Sequence, residues 1–197
     1  MKKILPQEEI DLLKTEQLIC LTGKMGAGKN HVCSILEKYG AISVDFDTLV
    51  HKAIELSKNE ILQSFGEIAR QSGIELLKDD GTINRKNLGK IVFKDSKLLM
   101  AQEKIVYPKV TQLVKEIIGE NRGKTILLNA TVLYKIPEIM NLCQKIYFVS
   151  ANMLKRACRV YKRDHHSINQ IFRRFYSQKN LQKEYKKTGI KIMFIKN

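Results

Sequence analysis

The sequence has no apolar run of roughly 18 residues, no CxxC pair and no cysteine–histidine spacing of the zinc-binding type. We therefore expect neither a membrane-spanning helix nor a zinc site. Residues 1–14 carry scattered charges instead of a continuous apolar stretch, so we expect no signal peptide there and predict a short amphipathic helix or an irregular extension. No internal repeat and no low-complexity linker divides the chain.

What the chain does contain is enough apolar sequence for a sizeable core. With 197 residues, of which 44% are hydrophobic, it has the size and composition of one globular α/β domain. The four cysteines are predicted to be buried reduced thiols, which suits a cytoplasmic protein. They are Cys20, Cys33, Cys143 and Cys158.

The formal net charge of +15 suits binding to nucleic acid, anionic membranes or phosphorylated small molecules. The lysines are spread along the whole chain, which favours a solvated basic surface. No nucleic-acid-binding module is recognisable, so we expect no specific nucleic-acid partner. The adjacent His165 and His166 lack ligand spacing and are predicted to lie on the surface. No feature indicates a particular oligomeric state.

Short apolar runs alternate with helical patterns along the chain. The spacing of Val32, Ile35, Leu36 and Tyr39 predicts an amphipathic helix, and Pro108 is expected to interrupt or start another helix. The predicted strands are residues 17–22, 41–44, 125–129, 145–149 and 190–195. This alternation predicts an α/β fold whose mostly parallel five-stranded sheet is covered by helices on both faces.

A glycine-rich loop follows the first predicted strand and opens the first predicted amphipathic helix. It fits the pattern G-x-x-x-x-G-K-[ST] at every position but the last. Glycines let several backbone N–H groups face one anion, and the positive end of the following helix points to the same place. We therefore predict that this loop binds ATP, with Lys29 reaching the β- and γ-phosphates. The predicted ATP-binding residues are Gly23, Lys24, Met25, Gly26, Ala27, Gly28, Lys29, Asn30 and His31.

Asn30 occupies the position at which the pattern has serine or threonine, whose hydroxyl binds Mg²⁺. An amide oxygen is also a ligand that hard cations accept. We therefore expect Asn30, together with Asp45, to take part in a Mg²⁺ site of altered geometry.

Two aspartates follow the second predicted strand, where parallel α/β sheets bind their ligands. Asp45 and Asp47 are two residues apart, so in an extended segment they point to the same side. Asp47 is the candidate catalytic base, which accepts the proton of an attacking hydroxyl, and Asp45 is a candidate for holding metal-bound water. The alternative is that one of them caps the following helix.

A basic segment late in the chain is a candidate phosphate clamp. Arg156, Arg159 and Arg163 are spaced three and four residues apart, so they share one face of a predicted helix. Guanidinium groups bind phosphate oxygens in a bidentate manner, which favours a lid over the alternative of a solvated basic face. The segment continues with Arg173, Arg174 and Gln178.

These motifs in combination resemble one family of small-molecule kinases. The run LTGKMGAGKN is followed by VDFD at 44–47, DGTINRKNLGKIVF at 80–93, Tyr107-Pro108, Arg159, Arg163-Asp164 and the RFYSQ segment ending at Gln178. Over roughly residues 17–180 this combination is similar to the dephospho-coenzyme A kinase family. The glycine loop alone is shared with many nucleotide kinases.

The resemblance implies that ATP, with Mg²⁺, phosphorylates the ribose 3′-hydroxyl of dephospho-coenzyme A, the last step of coenzyme A synthesis. By motif match, Asp47 takes the position of the catalytic base at the substrate, and Arg85 that of the substrate-domain arginine. Arg159 and Arg163 take the positions of the lid arginines, which bind ATP and assist transfer. Tyr107 stands at the substrate position where the family has histidine.

The resemblance also implies a P-loop NTPase-type three-layer fold. Its expected parts are an N-terminal extension (1–16), a core (about 17–47, 120–150 and 186–197), a helical substrate subdomain (about 48–119) and a basic lid (about 151–185). Departures from the family pattern touch the metal site and the acceptor pocket. They are Asn30, Tyr107-Pro108, and the segment Ala130-Thr131-Val132, where the family has Pro-Leu-Leu, with Tyr134 in place of the acid that follows.

Two alternative functions remain open from the sequence. The first is another P-loop kinase that acts on a nucleoside or nucleotide, because such kinases share the loop, the base and the lid. The second is a degenerate, non-catalytic ATP-binding protein, which Asn30 and Tyr134 favour and which the retained Lys29, Asp47 and lid arginines oppose.

Overall fold

The computed structural model describes residues 5–13, 15, 17–164 and 168–197. In that part of the chain the strands are β1 (Gln17–Gly23), β2 (Ile42–Asp45), β3 (Thr125–Asn129), β4 (Lys145–Ser150) and β5 (Ile192–Lys196). The helices are α1 (Gln7–Leu12), α2 (Lys29–Glu37), α3 (Phe46–Leu56), α4 (Lys58–Gln71), α5 (Arg85–Val92), α6 (Ser96–Glu120), α7 (Pro137–Met140), α8 (Met153–Asp164), α9 (Ile168–Ser177) and α10 (Leu181–Lys187). A short 3₁₀ helix covers Leu133–Lys135.

The strands form one parallel sheet in the order β2-β3-β1-β4-β5. The central strand β1 is buried along nearly its whole length, as an apolar run in a sheet covered on both faces should be. Because all strands run in one direction, their carboxyl ends meet at one edge of the sheet, where Asp45 lies in register with Asn129. The predicted α/β fold with a parallel five-stranded sheet is confirmed.

The chain divides into two compact units. The first consists of residues 1–46 and 118–197 and contains the sheet, and the second consists of residues 47–117. The second unit is helical, and its DG turn is held locally: Asp80 accepts hydrogen bonds from the N–H and the hydroxyl of Thr82. Asn84 then caps α5 by accepting from the N–H of Asn87.

The segment before β1 packs against the core of the first unit. Leu5, Ile10 and Leu13 are buried in the same cluster as the apolar side chains of β1 and α2. On α1, the buried Glu9 forms an ion pair with Lys145 (2.9 Å) and accepts a hydrogen bond from the Tyr147 hydroxyl (3.0 Å). The amphipathic-helix alternative predicted for this segment therefore describes α1.

Two expectations from the sequence are wrong. Pro108 neither starts nor interrupts a helix, since it lies inside α6, which has 25 residues in all. The proline is exposed, and burial of Val106 and Val110 on either side outweighs its cost of about 3 kcal/mol. Cys158 is exposed, because α8 turns Arg156 and Val160 inward and leaves Cys158 on the opposite face.

The other three cysteines are buried, as predicted. The predicted surface positions of His165 and His166 lie outside the described residues. Where the structure describes the chain, no helix is both long enough and apolar enough to cross a membrane.

Candidate active site at the glycine loop

The glycine loop connects the end of β1 at Gly23 to the start of α2 at Lys29. Gly26 (φ 76°) and Gly28 (φ 91°) have left-handed backbone conformations that side chains other than glycine's rarely adopt. Gly26 also packs closely, since a Cβ there would lie 2.7 Å from the Arg156 carbonyl oxygen. The Ala27 N–H closes the turn by donating to the Lys24 carbonyl (3.0 Å).

Three successive carbonyl groups of the loop accept hydrogen bonds from side chains that lie far away in the sequence. Arg156 Nε donates to the Met25 oxygen (2.9 Å), and Asn197 Nδ2 donates to the Ala27 oxygen (2.9 Å). Arg159 Nη1 donates to the oxygens of Gly26 (3.4 Å) and Ala27 (3.2 Å). The outer side of the loop is thus held by α8 and by the residue that follows β5.

Lys29 is the first residue of α2 and directly follows the glycine loop. Lys29 is half-buried, and its Nζ donates to the Gly23 carbonyl oxygen at 3.3 Å, across the loop. Burial raises the pKa of the nearby Cys33 thiol to about 11, with Glu37 adding to the rise and Lys29 opposing it. Cys33 is therefore a neutral packing residue on α2, and Lys29 is the cation that the loop presents.

Three residues with side-chain oxygen atoms, Asn30, Asp45 and Asn129, are close neighbours where α2, β2 and β3 adjoin. Asn129 ends β3, lies in register with Asp45, and donates through Nδ2 to Asn30 Oδ1 (2.9 Å). Asn129 Oδ1 is buried and has no hydrogen-bond partner within the described residues. The sequence predicts Asn30 and Asp45 as site residues but not Asn129, whose only signal is its place at the end of a predicted strand.

Asp47 lies in the first turn of α3 and is exposed. Because α3 begins at Phe46, the backbone from Asp45 to Asp47 is not extended, and the predicted placement of both carboxylates on one side is wrong. A carboxylate in the first turn of a helix is stabilised by the positive end of the helix dipole.

The remaining predicted residues are placed as follows. Arg163 lies in the last turn of α8, exposed and one turn beyond Arg159. Arg85 is the exposed first residue of α5, directly after its cap. Tyr107 lies on α6, and its hydroxyl donates to Glu103 (2.7 Å). His31 is exposed on the first turn of α2.

The segment that replaces the family's Pro-Leu-Leu sequence is packed against a buried tyrosine. The Tyr185 hydroxyl accepts from the Leu133 N–H (3.0 Å) and donates to the Thr131 carbonyl (3.2 Å), and its ring meets the Tyr134 ring edge to face at 5.3 Å. Burial raises the pKa of Tyr185 strongly. The Tyr134 position is thus tied to the core of the sheet.

Comparison with known proteins decides which group of P-loop proteins this is. The family model described as "CoaE: Dephospho-CoA kinase" matches residues 17–195. The chain belongs to the dephospho-CoA kinase family. It is therefore a kinase, a transferase whose phosphate donor is ATP, and the resemblance found in the sequence is confirmed.

Individual members of the dephospho-CoA kinase family agree over most of the chain. A dephospho-CoA kinase of Treponema pallidum (strain Nichols) is 34% identical over 165 residues, which cover 82% of this chain and 78% of the relative. A dephospho-CoA kinase of Treponema denticola is 31% identical over 195 residues, with 97% and 86% covered.

Two solved structures share the fold. The crystal structure of TT1252 from Thermus thermophilus has a TM-score of 0.74 at 24% identity and covers 92% of this chain and 89% of its own. A dephospho-CoA kinase from Campylobacter jejuni has a TM-score of 0.64 at 23% identity, with 91% and 88% covered.

Proposed function

We propose that this chain transfers the γ-phosphoryl group of ATP to the ribose 3′-hydroxyl of dephospho-coenzyme A. The observation that carries the proposal is the glycine loop between β1 and α2, in a chain that matches the family from residue 17 to 195. We expect the reaction in the cytoplasm, because four unpaired cysteines suit a reducing compartment.

ATP binds with its triphosphate in the glycine loop. The first N–H groups of α2 have no carbonyl partner inside the helix and favour an anion at this position. Lys29 moves from the Gly23 carbonyl to the β- and γ-phosphates, which are stronger acceptors than a neutral carbonyl. His31 flanks the bound nucleotide, and Arg159, which donates to the Gly26 and Ala27 carbonyls, adds positive charge beside the loop.

The oxygen-bearing side chains at the strand ends fit a Mg²⁺ ion. Asp45 brings a carboxylate, Asn30 an amide oxygen, and Asn129 the buried amide oxygen without a hydrogen-bond partner among the described residues. Mg²⁺ prefers such oxygen ligands and retains several waters. When bound, the ion neutralises charge on the phosphate oxygens during transfer. The described part of the chain has no cluster of three or more His, Cys, Asp or Glu that could hold a metal ion, so the proposed site depends on the two amide oxygens beside Asp45.

Asp47 acts as the base for the acceptor. It orients the ribose hydroxyl and accepts its proton as the oxygen attacks the γ-phosphorus. Its exposed carboxylate at the start of α3 is accessible to a substrate. Arg85 and Tyr107 bind the acceptor, and Arg163 stabilises the charge that develops on the transferred group.

The Asn30–Asn129 hydrogen bond favours a second candidate function, an ATP-binding protein without transfer activity. In this bond the Asn30 side-chain oxygen accepts from the Asn129 amide, so the oxygen is not available as a ligand for a metal ion. If the pair persists when ATP binds, the ion lacks one protein ligand. The alternative to dephospho-coenzyme A as the acceptor is another nucleoside or nucleotide.

The experiment is an acceptor panel with the full chain. Purified protein is incubated with ATP and Mg²⁺, alone or with dephospho-coenzyme A, adenosine or AMP, and ADP and the phosphorylated product are quantified by mass spectrometry. We expect slow ADP formation with ATP alone and much faster formation with dephospho-coenzyme A. Transfer only to another nucleoside would show that the acceptor is wrong, and ATP binding without transfer to any acceptor would favour the second candidate.

A further inference from the structure

Met25, in the middle of the glycine loop, has both of its backbone polar groups bound by side chains from the lid segment. Its N–H donates to Gln178 Oε1 at 2.7 Å, and its carbonyl accepts from Arg156 Nε at 2.9 Å. Arg156 lies on α8, and Gln178 directly follows α9. Two consecutive peptides of the phosphate-binding loop are thus held: Gln178 holds the Lys24–Met25 peptide, and Arg156 holds the Met25–Gly26 peptide.

Burying the Arg156 side chain has a desolvation cost that a surface arginine would not have. It is only 8% exposed, and its guanidinium carbon lies 4.1 Å from the centre of the Phe175 ring. Burial lowers its pKa, and its Nη2 has no hydrogen-bond partner among the described residues. A buried guanidinium with one nitrogen unsatisfied is unfavourable for stability, which points to a role in the site.

The geometry of the peptide bond gives that role. A trans peptide is planar, so when a carbonyl points in one direction the N–H of the next residue points in the opposite direction. The carbonyls of Met25 and Ala27 point to Arg156 and Asn197, so the N–H groups of Gly26 and Gly28 point to the inner side of the loop. If the Met25–Gly26 peptide turned over, its carbonyl oxygen would face the triphosphate and repel it.

We propose that Arg156 and Gln178 are positioning residues that hold the two peptides on either side of Met25 in the orientation required for triphosphate binding. This inference rests on the proposed function, because it assumes that the loop binds ATP. Neither side chain needs to touch ATP. They act through the loop, whose donors are oriented before the nucleotide arrives, so that less ordering is required on binding.

The test replaces the acceptor atom of Gln178. Gln178→Met keeps the length of the side chain and removes the acceptor, Gln178→Glu keeps an acceptor oxygen, and Ser177→Ala is the matched control at the neighbouring exposed position. ATP affinity is measured by calorimetry without the acceptor substrate, and exchange of the Met25 amide hydrogen is measured by NMR in the nucleotide-free protein.

We expect Gln178→Met to weaken ATP binding about tenfold, the effect of leaving a backbone donor without its acceptor, and to accelerate exchange of the Met25 amide. Gln178→Glu should restore slow exchange and most of the affinity, and Ser177→Ala should change neither. The thermal midpoints of all four proteins should agree within a few degrees. Should Gln178→Met not fold, Arg156→Lys tests the other contact and should also weaken ATP binding.

ATP affinity of Gln178→Met within twofold of the unaltered protein would overturn the positioning role. Unchanged exchange of the Met25 amide would overturn the contact itself, independently of any nucleotide. If the unaltered chain bound no ATP, the proposed function would fail and the positioning role with it, and the exchange measurement would still report separately on the contact.

Discussion

The side-chain amide of Asn129 donates a hydrogen bond of 2.9 Å to the side-chain oxygen of Asn30, and so joins the end of β3 to the first turn of α2. In the proposed function both residues contribute oxygen atoms to the Mg²⁺ site. Asn30 occupies the glycine-loop position at which the sequence pattern has serine or threonine.

Restoring the hydroxyl should therefore ease metal binding. We expect Asn30→Thr to lower the Mg²⁺ concentration for half-maximal activity, because a compact hydroxyl fits the octahedral shell better and releases the Asn129 amide. The measurement is a Mg²⁺ titration of transfer activity at saturating ATP, with Asn169→Ser on the exposed face of α9 as control. An equal or higher Mg²⁺ requirement would exclude Asn30 from the metal site.

Lys29 should be essential for transfer and dispensable for folding. Because Lys29 is half-buried in the loop and its Nζ donates to the loop's own Gly23 carbonyl at 3.3 Å, Lys29→Met should leave the thermal midpoint nearly unchanged. We expect turnover to fall by about 10²-fold or more, as for the loss of one stabilising charge in the transition state. Lys38→Met, at the exposed end of the same helix, is the matched control. Activity within a few-fold of the unaltered protein would mean that this loop is not the ATP site.

Asp47 and Asp45 should differ in their effect on the chemical step. Asp47→Asn keeps the shape of the side chain and removes the base, so we expect turnover to fall by about 10²-fold with nearly unchanged ATP affinity. Asp45→Asn should cause a smaller loss that added Mg²⁺ partly restores, because its carboxylate serves the metal ion. Single-turnover rates and calorimetry separate the two effects. Small, equal losses for both variants would show that neither residue is the base.

Arg163 should contribute to transfer without contributing to the fold. It is exposed in the last turn of α8, whereas Arg156 two turns earlier is buried. We expect Arg163→Ala to lower turnover on the order of 10²-fold while the thermal midpoint stays constant. Arg122→Ala, on an exposed turn before β3, is the control. A change confined to the thermal midpoint would assign Arg163 a structural role.

Glu9 should stabilise the protein from outside the segment that matches the family. Glu9→Ala leaves the buried Tyr147 hydroxyl and the Lys145 ammonium without their shared partner. We expect the free energy of unfolding to fall by about 2 kcal/mol, the typical cost of losing hydrogen bonds to a charged group. Urea denaturation gives this value, and Glu8→Ala, exposed on the same helix, should have little effect. Equal effects of the two substitutions would show that α1 contributes no specific contact.

Local patterns were sufficient for most of the fold. Strands and amphipathic helices each have a characteristic spacing of apolar residues, and a glycine loop followed by lysine between a strand and a helix is typical of a phosphate-binding loop. These local patterns were enough to predict β1, α2 and the parallel sheet. The family signature, with VDFD and DGTINR, was equally readable because its residues are close together in the chain.

Tertiary structure alone decided which distant side chains meet. Gln178 and Arg156 contact Met25 across more than 130 residues, and Asn129 contacts Asn30 across 99. No local pattern encodes such pairs, because they depend on the order of strands in the sheet and on the way in which α8 and α9 pack. For the same reason the prediction that Cys158 is buried was wrong. Cysteines tend to be buried, but only the packing of α8 determines which face of that helix is buried.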